Sequence, residues 1–125
     1  MNAEELKDRM KKFALDVACL CADIPHVTET TNARGQLQRC SSSVAAKYRA
    51  ACRGKSKADF IAKLGTVEEE ADESAFWLEF INNLSNLLSL DLDDKHEKEL
   101  ARLSDEANQL VAITVASRKT ARGNG

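Results

Sequence analysis

The chain has 125 residues, of which 43% are hydrophobic and 30% are charged, a balance typical of a folded helical domain and not of a disordered chain. A net charge of −2 gives no overall attraction for nucleic acid, so only a local concentration of basic residues can support that function. No apolar run approaches the length of a membrane span, and the charged start lacks a signal-peptide core. We therefore expect one domain over residues 1–125, located in the cytoplasm and without membrane contact.

The first predicted helix covers residues 3–23. Asn2 is placed to cap it, and Glu4 and Glu5 follow in the first turn, where the helix dipole favours acids. Apolar residues recur in steps of three and four, as one buried face requires: Leu6, Met10, Phe13, Val17 and Leu20. Pro25 ends this helix, and residues 24–31 are expected to form a short loop.

The second predicted helix covers residues 32–53. Its inner face is thin and consists of Leu37, Cys40, Val44, Tyr48 and Ala51. Small residues flank this face, so a neighbouring helix is expected to pack closely against it. Gly54 stands where helices often end in a left-handed glycine.

Ser56 is predicted to cap the third helix, with Asp59 three residues later. Residues 54–56 then form a tight turn between two antiparallel helices. The third helix is predicted over residues 57–84. Its first apolar face consists of Phe60, Leu64, Val67, Ala71, Ser74, Leu78 and Ile81.

The end of the third helix carries a second apolar face, formed by Trp77, Phe80 and Leu84 with Phe76 and Leu87 at its margin. One amphipathic face is enough for a monomeric bundle, so the second predicts contact with another subunit. The alternative is that the connection over residues 86–94 covers it. The acidic run Glu68–Glu73 is expected to form structural ion pairs, in which Glu68 and Glu70 reach the second helix or another subunit. The predicted oligomer interface comprises Glu70, Glu73, Trp77, Phe80 and Leu84.

The fourth predicted helix covers residues 94–121, with a buried stripe of Leu100, Leu103, Ala107, Leu110, Val111 and Thr114. The run 110–116 is apolar nearly all round and is expected to be the most buried stretch, whereas residues 123–125 are expected to form a loose tail. Long helices joined by short turns predict an all-α fold, an antiparallel up-down-up-down four-helix bundle.

Basic residues are concentrated in the middle of the chain. Residues 34–63 contain eight basic residues and one acid, whereas residues 68–79 contain six acids and no base. In an up-down bundle the ends of helices two and four share one pole with the start of helix three. Eight basic residues are therefore predicted to converge there: Lys47, Arg49, Arg53, Lys55, Lys57, Arg118, Lys119 and Arg122.

This basic pole predicts a surface that contacts phosphates and does not read bases, because Tyr48 is the only aromatic residue near it and should point inward. The opposite pole is predicted to be acidic, with Asp23, Glu29, Asp91, Asp93, Asp94, Glu97 and Glu99. The alternative for the basic pole is that these side chains only complement helix dipoles and are otherwise solvated.

The sequence contains no convincing catalytic group. His26 and His96 cannot direct paired ligands into a bundle core, so we expect neither a metal site nor a cofactor. Residues Ser41–Ser43 have no histidine to activate them, and no glycine-rich phosphate loop is present. The four cysteines, Cys19, Cys21, Cys40 and Cys52, are interpreted as buried thiols in a reducing compartment. We expect a protein that is not an enzyme.

Two motifs, Tyr48–Cys52 (YRAAC) and Ser56–Gly65 (SKADFIAKLG), carry a family resemblance, and three further stretches agree with it. These are Gln36–Leu37 with Arg39, Glu68–Glu73 (EEEADE) with Trp77–Glu79, and Ala116–Ala121 (ASRKTA). The chain resembles the four-helix-bundle proteins encoded by intervening sequences in 23S rRNA genes. It departs from the family pattern in the second helix, where Lys47 replaces an asparagine.

The resemblance implies an antiparallel four-helix bundle that assembles as a ring-like homopentamer. It also implies kinship with the accessory protein of diversity-generating retroelements, a pentameric bundle that binds nucleic acid and a reverse transcriptase. Two functions stay open from the sequence. One is a homo-oligomer that binds nucleic acid through its basic pole, and the other is a protein-interaction scaffold whose charges serve assembly and an unknown protein partner.

Overall fold

A computed structural model describes residues 1–123 and shows four α-helices with no strand in that range. They are α1 (Ala3–Asp23), α2 (Thr28–Cys52), α3 (Lys57–Leu87) and α4 (Asp94–Gly123). The connections are short, at residues 24–27, 53–56 and 88–93. Gly123 belongs to α4, and the rest of the expected loose tail, Asn124 and Gly125, lies outside the described residues.

The helices are antiparallel and contact one another in the cyclic order α1, α2, α3, α4. Three cross-links between α1 and α4 show the direction. Arg9 pairs with Glu106, Asp16 with Arg102, and Asp23 with His96. The residue numbers on α4 decrease as those on α1 increase, so the two helices are antiparallel. The predicted all-α up-down-up-down bundle is confirmed.

The buried core follows the stripes predicted from helical periodicity. Every residue of the predicted α1 and α2 faces is buried, including Tyr48, whose ring points inward as expected. On α3 only Phe60 of the predicted face is half-buried. Close approach between α2 and α3 is visible at Ser74, whose Oγ lies 3.2 Å from Cys40 Sγ. The small residues of α2 therefore allow the tight packing expected of them.

The start of α2 was predicted wrongly, because the helix begins at Thr28 and not at Asn32. Thr30 is fully buried, and its hydroxyl donates to the Pro25 carbonyl oxygen at 2.7 Å. The Thr30 hydroxyl oxygen also accepts a hydrogen bond from the Val27 amide at 3.4 Å. The Thr30 side chain thus links the first turn of α2 to the end of the preceding loop by hydrogen bonds. The β-branched residues Thr28, Thr30 and Thr31, which suggested a loop, are therefore helical.

The run 110–116 is not the most buried stretch, contrary to expectation. Leu110 and Thr114 are buried, but Val111, Ile113 and Val115 are half-buried. Only one side of α4 faces the other helices. On another side Ile113 and Phe60 of α3 line a shallow groove of about 490 Å³.

The cysteines are all free, and burial differs among them. Cys21 and Cys40 are buried, and desolvation raises the pKa of the Cys21 thiol to about 11. Cys52 is half-buried, whereas Cys19 is exposed, so the expectation of buried thiols is wrong for Cys19.

Candidate nucleic-acid interface

The basic pole is built around the turn between α2 and α3. The Gly54 amide donates to the Ala51 carbonyl oxygen at 2.9 Å, which closes the end of α2. Ser56 Oγ accepts from the Asp59 amide at 3.0 Å and caps α3 as predicted. Asp59 Oδ2 in turn accepts from the Lys55 amide at 3.0 Å. These bonds hold the backbone of the turn while the side chains of Lys55 and Lys57 extend into solvent.

Gly54 does not adopt the left-handed conformation expected of it, since no described glycine has a positive φ. Its role is steric. A β-carbon at residue 54 would lie 3.0 Å from the Ala51 carbonyl oxygen and 3.3 Å from the Phe60 amide nitrogen, both of them backbone atoms. Close approach of the chain therefore explains the glycine.

Seven of the eight predicted contact residues are exposed and have no ion pair within 4.0 Å with any carboxylate of residues 1–123. We call these residues the free cations: Lys47, Arg49, Arg53, Lys55, Lys57, Lys119 and Arg122. Arg118 differs, because its Nη1 donates to Glu68 Oε1 at 2.8 Å and its side chain is 24% exposed. Arg118 therefore forms an ion pair that links α4 to α3. Glu68 was expected to pair with the second helix or another subunit, and it pairs with α4 instead.

The free cations do not all share one face. Residues 47 and 49 lie about 200° apart around α2, so Lys47 and Arg49 occupy different sides of the helix. Arg49 and Arg53 line a groove of about 490 Å³ between α2 and α1. Lys7 and Lys11 of α1 line the same groove, and the sequence-based prediction did not include them. Their proximity follows from the antiparallel pairing of α1 with α2.

Acidic side chains near the pole are partly neutralised. Asp59 Oδ2 accepts from Lys63 Nζ at 2.6 Å, and this bond together with the Lys55 amide lowers the pKa of the Asp59 carboxyl. Glu4 pairs with Lys7 at 2.5 Å. Asp8 has no ion pair with a described residue. The pole therefore keeps an excess of uncompensated positive charge.

The opposite end holds the predicted acids, but bases accompany them. Its groove of about 890 Å³ is lined by Asp23, Asp93, Asp94 and Glu99, together with Lys95, Lys98 and Arg102. Asp94 pairs with Lys98 at 3.0 Å and Glu99 with Arg102 at 2.6 Å. The charge separation between the poles is thus smaller than the sequence pattern predicts.

His96 joins two carboxylates at this acidic end. Its Nε2 lies 3.0 Å from Asp23 and its Nδ1 lies 2.6 Å from Asp93. The backbone amide of His96 also donates to Asp93 and lowers the pKa of that carboxyl. Because the carboxylates lie at opposite ring nitrogens, they do not converge on one metal position. No group of three or more metal-ligating side chains occurs among the described residues.

The predicted oligomer-interface residues divide into two groups. Glu70 and Glu73 both pair with Arg39 of α2, at 3.1 Å for Glu70, and the bond from Arg39 lowers the pKa of Glu73. Glu73 also accepts from Trp77 Nε1 at 3.2 Å. These two acids are therefore engaged within the chain.

The apolar members of that interface form an aromatic cluster on α3. Trp77 and Phe80 have ring centroids 5.3 Å apart, and Phe76 lies 4.9 Å from Trp77. Phe76 is 53% exposed and Phe80 40% exposed, so the connection 88–93 does not cover them. Leu84 is half-buried one turn further along, and Leu87 is exposed. The alternative in which the connection wraps this face is therefore wrong for Phe76 and Phe80.

Within residues 1–123 no helix combines the length and the apolar character that a membrane span requires.

Comparison with known proteins identifies the family. The model of the 23S rRNA-intervening sequence protein family matches residues 4–113. None of the curated proteins compared with the chain matches it. A crystal structure of a protein of unknown function from the S23 ribosomal protein family of Bacteroides thetaiotaomicron VPI-5482 has the same fold, with a TM-score of 0.77 and 23% identity over 95% of this chain and 99% of that one. The chain belongs to the 23S rRNA-intervening sequence protein family.

Proposed function

We propose that this protein is a non-enzymatic homo-oligomer that binds nucleic acid through phosphate contacts at its basic pole. The observation that carries the proposal is the set of seven free cations around the ends of α2 and α4 and the start of α3. Ion pairs satisfy most basic side chains along the rest of the bundle, as at Arg9, Arg39 and Arg102. Uncompensated cations grouped on one pole favour a polyanionic ligand.

Binding of this kind depends little on base sequence, because no exposed aromatic residue accompanies the free cations. The family name refers to 23S rRNA, which makes RNA the first probe to use. The kinship implied by the sequence motifs adds a reverse transcriptase-like protein as a candidate partner. It also suggests five subunits, and the exposed aromatic cluster on α3 offers a surface through which subunits could contact one another.

The test is fluorescence anisotropy with labelled RNA and DNA at about 50 mM salt, a condition that favours phosphate contacts. The double variant Lys55→Gln/Lys57→Gln removes two cations from a turn whose backbone is fixed by hydrogen bonds. We expect it to bind more weakly, by about tenfold. The control Lys95→Gln/Lys98→Gln makes the same charge change at the acidic end and should bind like the wild type. Absence of binding by the wild-type protein would refute the proposal.

A second candidate function is a protein-interaction scaffold, and the aromatic cluster of α3 favours it. Exposed aromatic side chains that contact one another are typical of protein–protein interfaces. In that case the free cations serve a protein partner or assembly. If the Lys55→Gln/Lys57→Gln variant loses nucleic-acid binding but keeps its oligomer size, the result argues against the scaffold. If its oligomer becomes smaller while nucleic-acid binding is unchanged, the result argues for the scaffold.

A further inference from the structure

The groove between α1 and α2 extends the basic pole along the side of the bundle. Its floor contains the small residues Ala14, Ala45 and Ala46, and its rims carry Lys11 on α1 and Arg49 with Arg53 on α2. The groove has a volume of about 490 Å³. Small residues on both helices keep the floor low, so the basic side chains stand on either side of a channel.

The charges in this groove are uncompensated on both rims. Lys11, Arg49 and Arg53 are exposed, and none has an ion pair with a carboxylate of residues 1–123. Lys7 is paired with Glu4, so that part of the lining is neutral. Asp8 is the remaining acid of the lining and has no ion pair with a described residue. An anion in the groove therefore meets three cations and one opposing carboxylate.

The groove is shaped for an extended polyanion. Arg49 and Arg53 are one helical turn apart, which separates them by about 6 Å along the axis, and Lys11 faces them from the antiparallel helix. The axes of packed helices lie only about 8–10 Å apart, so the groove between their outward side chains is narrow. The flexible backbone of a single strand can follow such a groove along its length, whereas the rigid backbone of a duplex touches it only where the two cross.

We propose that the α1–α2 groove binds the sugar–phosphate backbone of single-stranded nucleic acid. The strand lies lengthwise between Lys11 on one rim and Arg49 and Arg53 on the other, and it enters from the basic pole. This proposal rests on the proposed function and adds the class of strand and its path. No aromatic side chain lines the groove, so the bases point outward and homopolymers of different sequence bind alike.

Two substitutions test the groove without removing a cation. Ala46→Leu places a larger apolar side chain at an exposed helical position of the floor, and its control is Ala22→Leu, exposed on α1 outside the groove. Asp8→Asn removes the opposing carboxylate, and its control is Asp72→Asn, an exposed acid of α3. Each variant is titrated by anisotropy with single-stranded RNA and with duplex RNA at about 50 mM salt.

We expect Ala46→Leu to weaken single-strand binding by about threefold to tenfold and to leave duplex binding unchanged. Asp8→Asn should strengthen single-strand binding by about twofold to fivefold relative to Asp72→Asn, because one like charge near the phosphates is gone. Equal loss of single-strand and duplex binding in Ala46→Leu overturns the assignment of single strands. If the wild type binds but Ala46→Leu and Asp8→Asn each behave like their controls, binding in the groove is refuted, whereas nucleic-acid binding at the basic pole is not. If the wild type binds neither probe, the proposed function itself fails.

Discussion

Gly54 lies where the chain turns from α2 into α3, and backbone atoms crowd its α-carbon. Added at this residue, a β-carbon would lie within 3.3 Å of the Ala51 carbonyl oxygen and of the Phe60 amide nitrogen. Gly35, in contrast, is an exposed helical residue, and beyond the backbone of its own helix and its two chain neighbours no atom lies within 4 Å of such a β-carbon. The two glycines therefore provide a matched pair.

Gly54→Ala should lower the free energy of unfolding by about 1–3 kcal/mol, because two backbone segments would have to move. Gly35→Ala should raise it by up to about 1 kcal/mol, since alanine is the better helix former and meets no obstacle. Urea unfolding followed by circular dichroism measures both. If Gly54→Ala raised the free energy of unfolding, the result would contradict steric crowding at residue 54.

Ser89 is the described non-glycine residue with a positive φ, at 51°. It follows α3 in a Schellman arrangement, in which the Leu90 amide donates to the Ser85 carbonyl oxygen at 2.9 Å and the Ser89 amide to that of Asn86 at 3.3 Å. A residue with a β-carbon is strained in this conformation.

Ser89→Gly should therefore raise the free energy of unfolding by about 0.5–1 kcal/mol, as relief of strain exceeds the entropy that glycine adds to the unfolded chain. The control Ser42→Gly, at an exposed position within α2, should lower it. Thermal unfolding of the two variants gives the comparison, and a lower midpoint for Ser89→Gly than for the wild type contradicts this account.

At the scale of the helices, the seam between α1 and α4 depends on polar cross-links. Arg9 pairs with Glu106 at 2.6 Å, and Arg102 pairs with Asp16 at 2.9 Å. Partial burial raises the pKa of Asp16, but hydrogen bonds from Lys12 and Arg102 outweigh it, and the net pKa lies below the ordinary value of 3.8. Folded Asp16 therefore binds its proton less readily than unfolded Asp16.

This difference makes the stability of the seam depend on pH. The contribution of Asp16 is fully present above pH 3.8 and is lost as the pH falls through its lower folded pKa. We expect Asp16→Asn to lose less stability than the wild type on acidification below that pH, by about 1 kcal/mol or less for partly exposed pairs. Asp91→Asn, an exposed acid without a described ion pair, is the control. Parallel acid-unfolding curves for Asp16→Asn and the wild type would contradict this assignment.

Helical periodicity was sufficient to predict the four helices and most of their buried faces, and the short turns predicted their up-down order. Periodicity did not predict the start of α2, where the buried Thr30 hydroxyl bonds to residues 25 and 27 and stabilises the first helical turn. The candidate site was predicted in part. The pairing of Arg118 with Glu68 joins residues 50 positions apart, and the neighbourhood of Lys11 and Arg49 depends on how α1 packs on α2. Neither contact leaves a local signal in the sequence.

At the scale of the whole molecule, assembly is expected to bury the aromatic cluster of α3. Phe80→Arg places a charge among Phe76 and Trp77, so it should dissociate the proposed oligomer into monomers. The matched control is Leu15→Arg, an exposed apolar residue of α1. Sedimentation velocity distinguishes the species. A monomeric wild-type protein, or equal dissociation by Leu15→Arg, would contradict an interface centred on α3.

The salt dependence of nucleic-acid binding tests the central claim most directly, because it counts the phosphates that the cations neutralise. The logarithm of the binding constant should fall linearly with the logarithm of salt concentration, by about 0.7 for each contact to a single strand. Arg49→Gln/Arg53→Gln should reduce the slope by about 1.4, whereas Lys95→Gln/Lys98→Gln should leave it unchanged. A slope that is near zero for the wild type, or that is the same in Arg49→Gln/Arg53→Gln, would contradict phosphate binding at this pole.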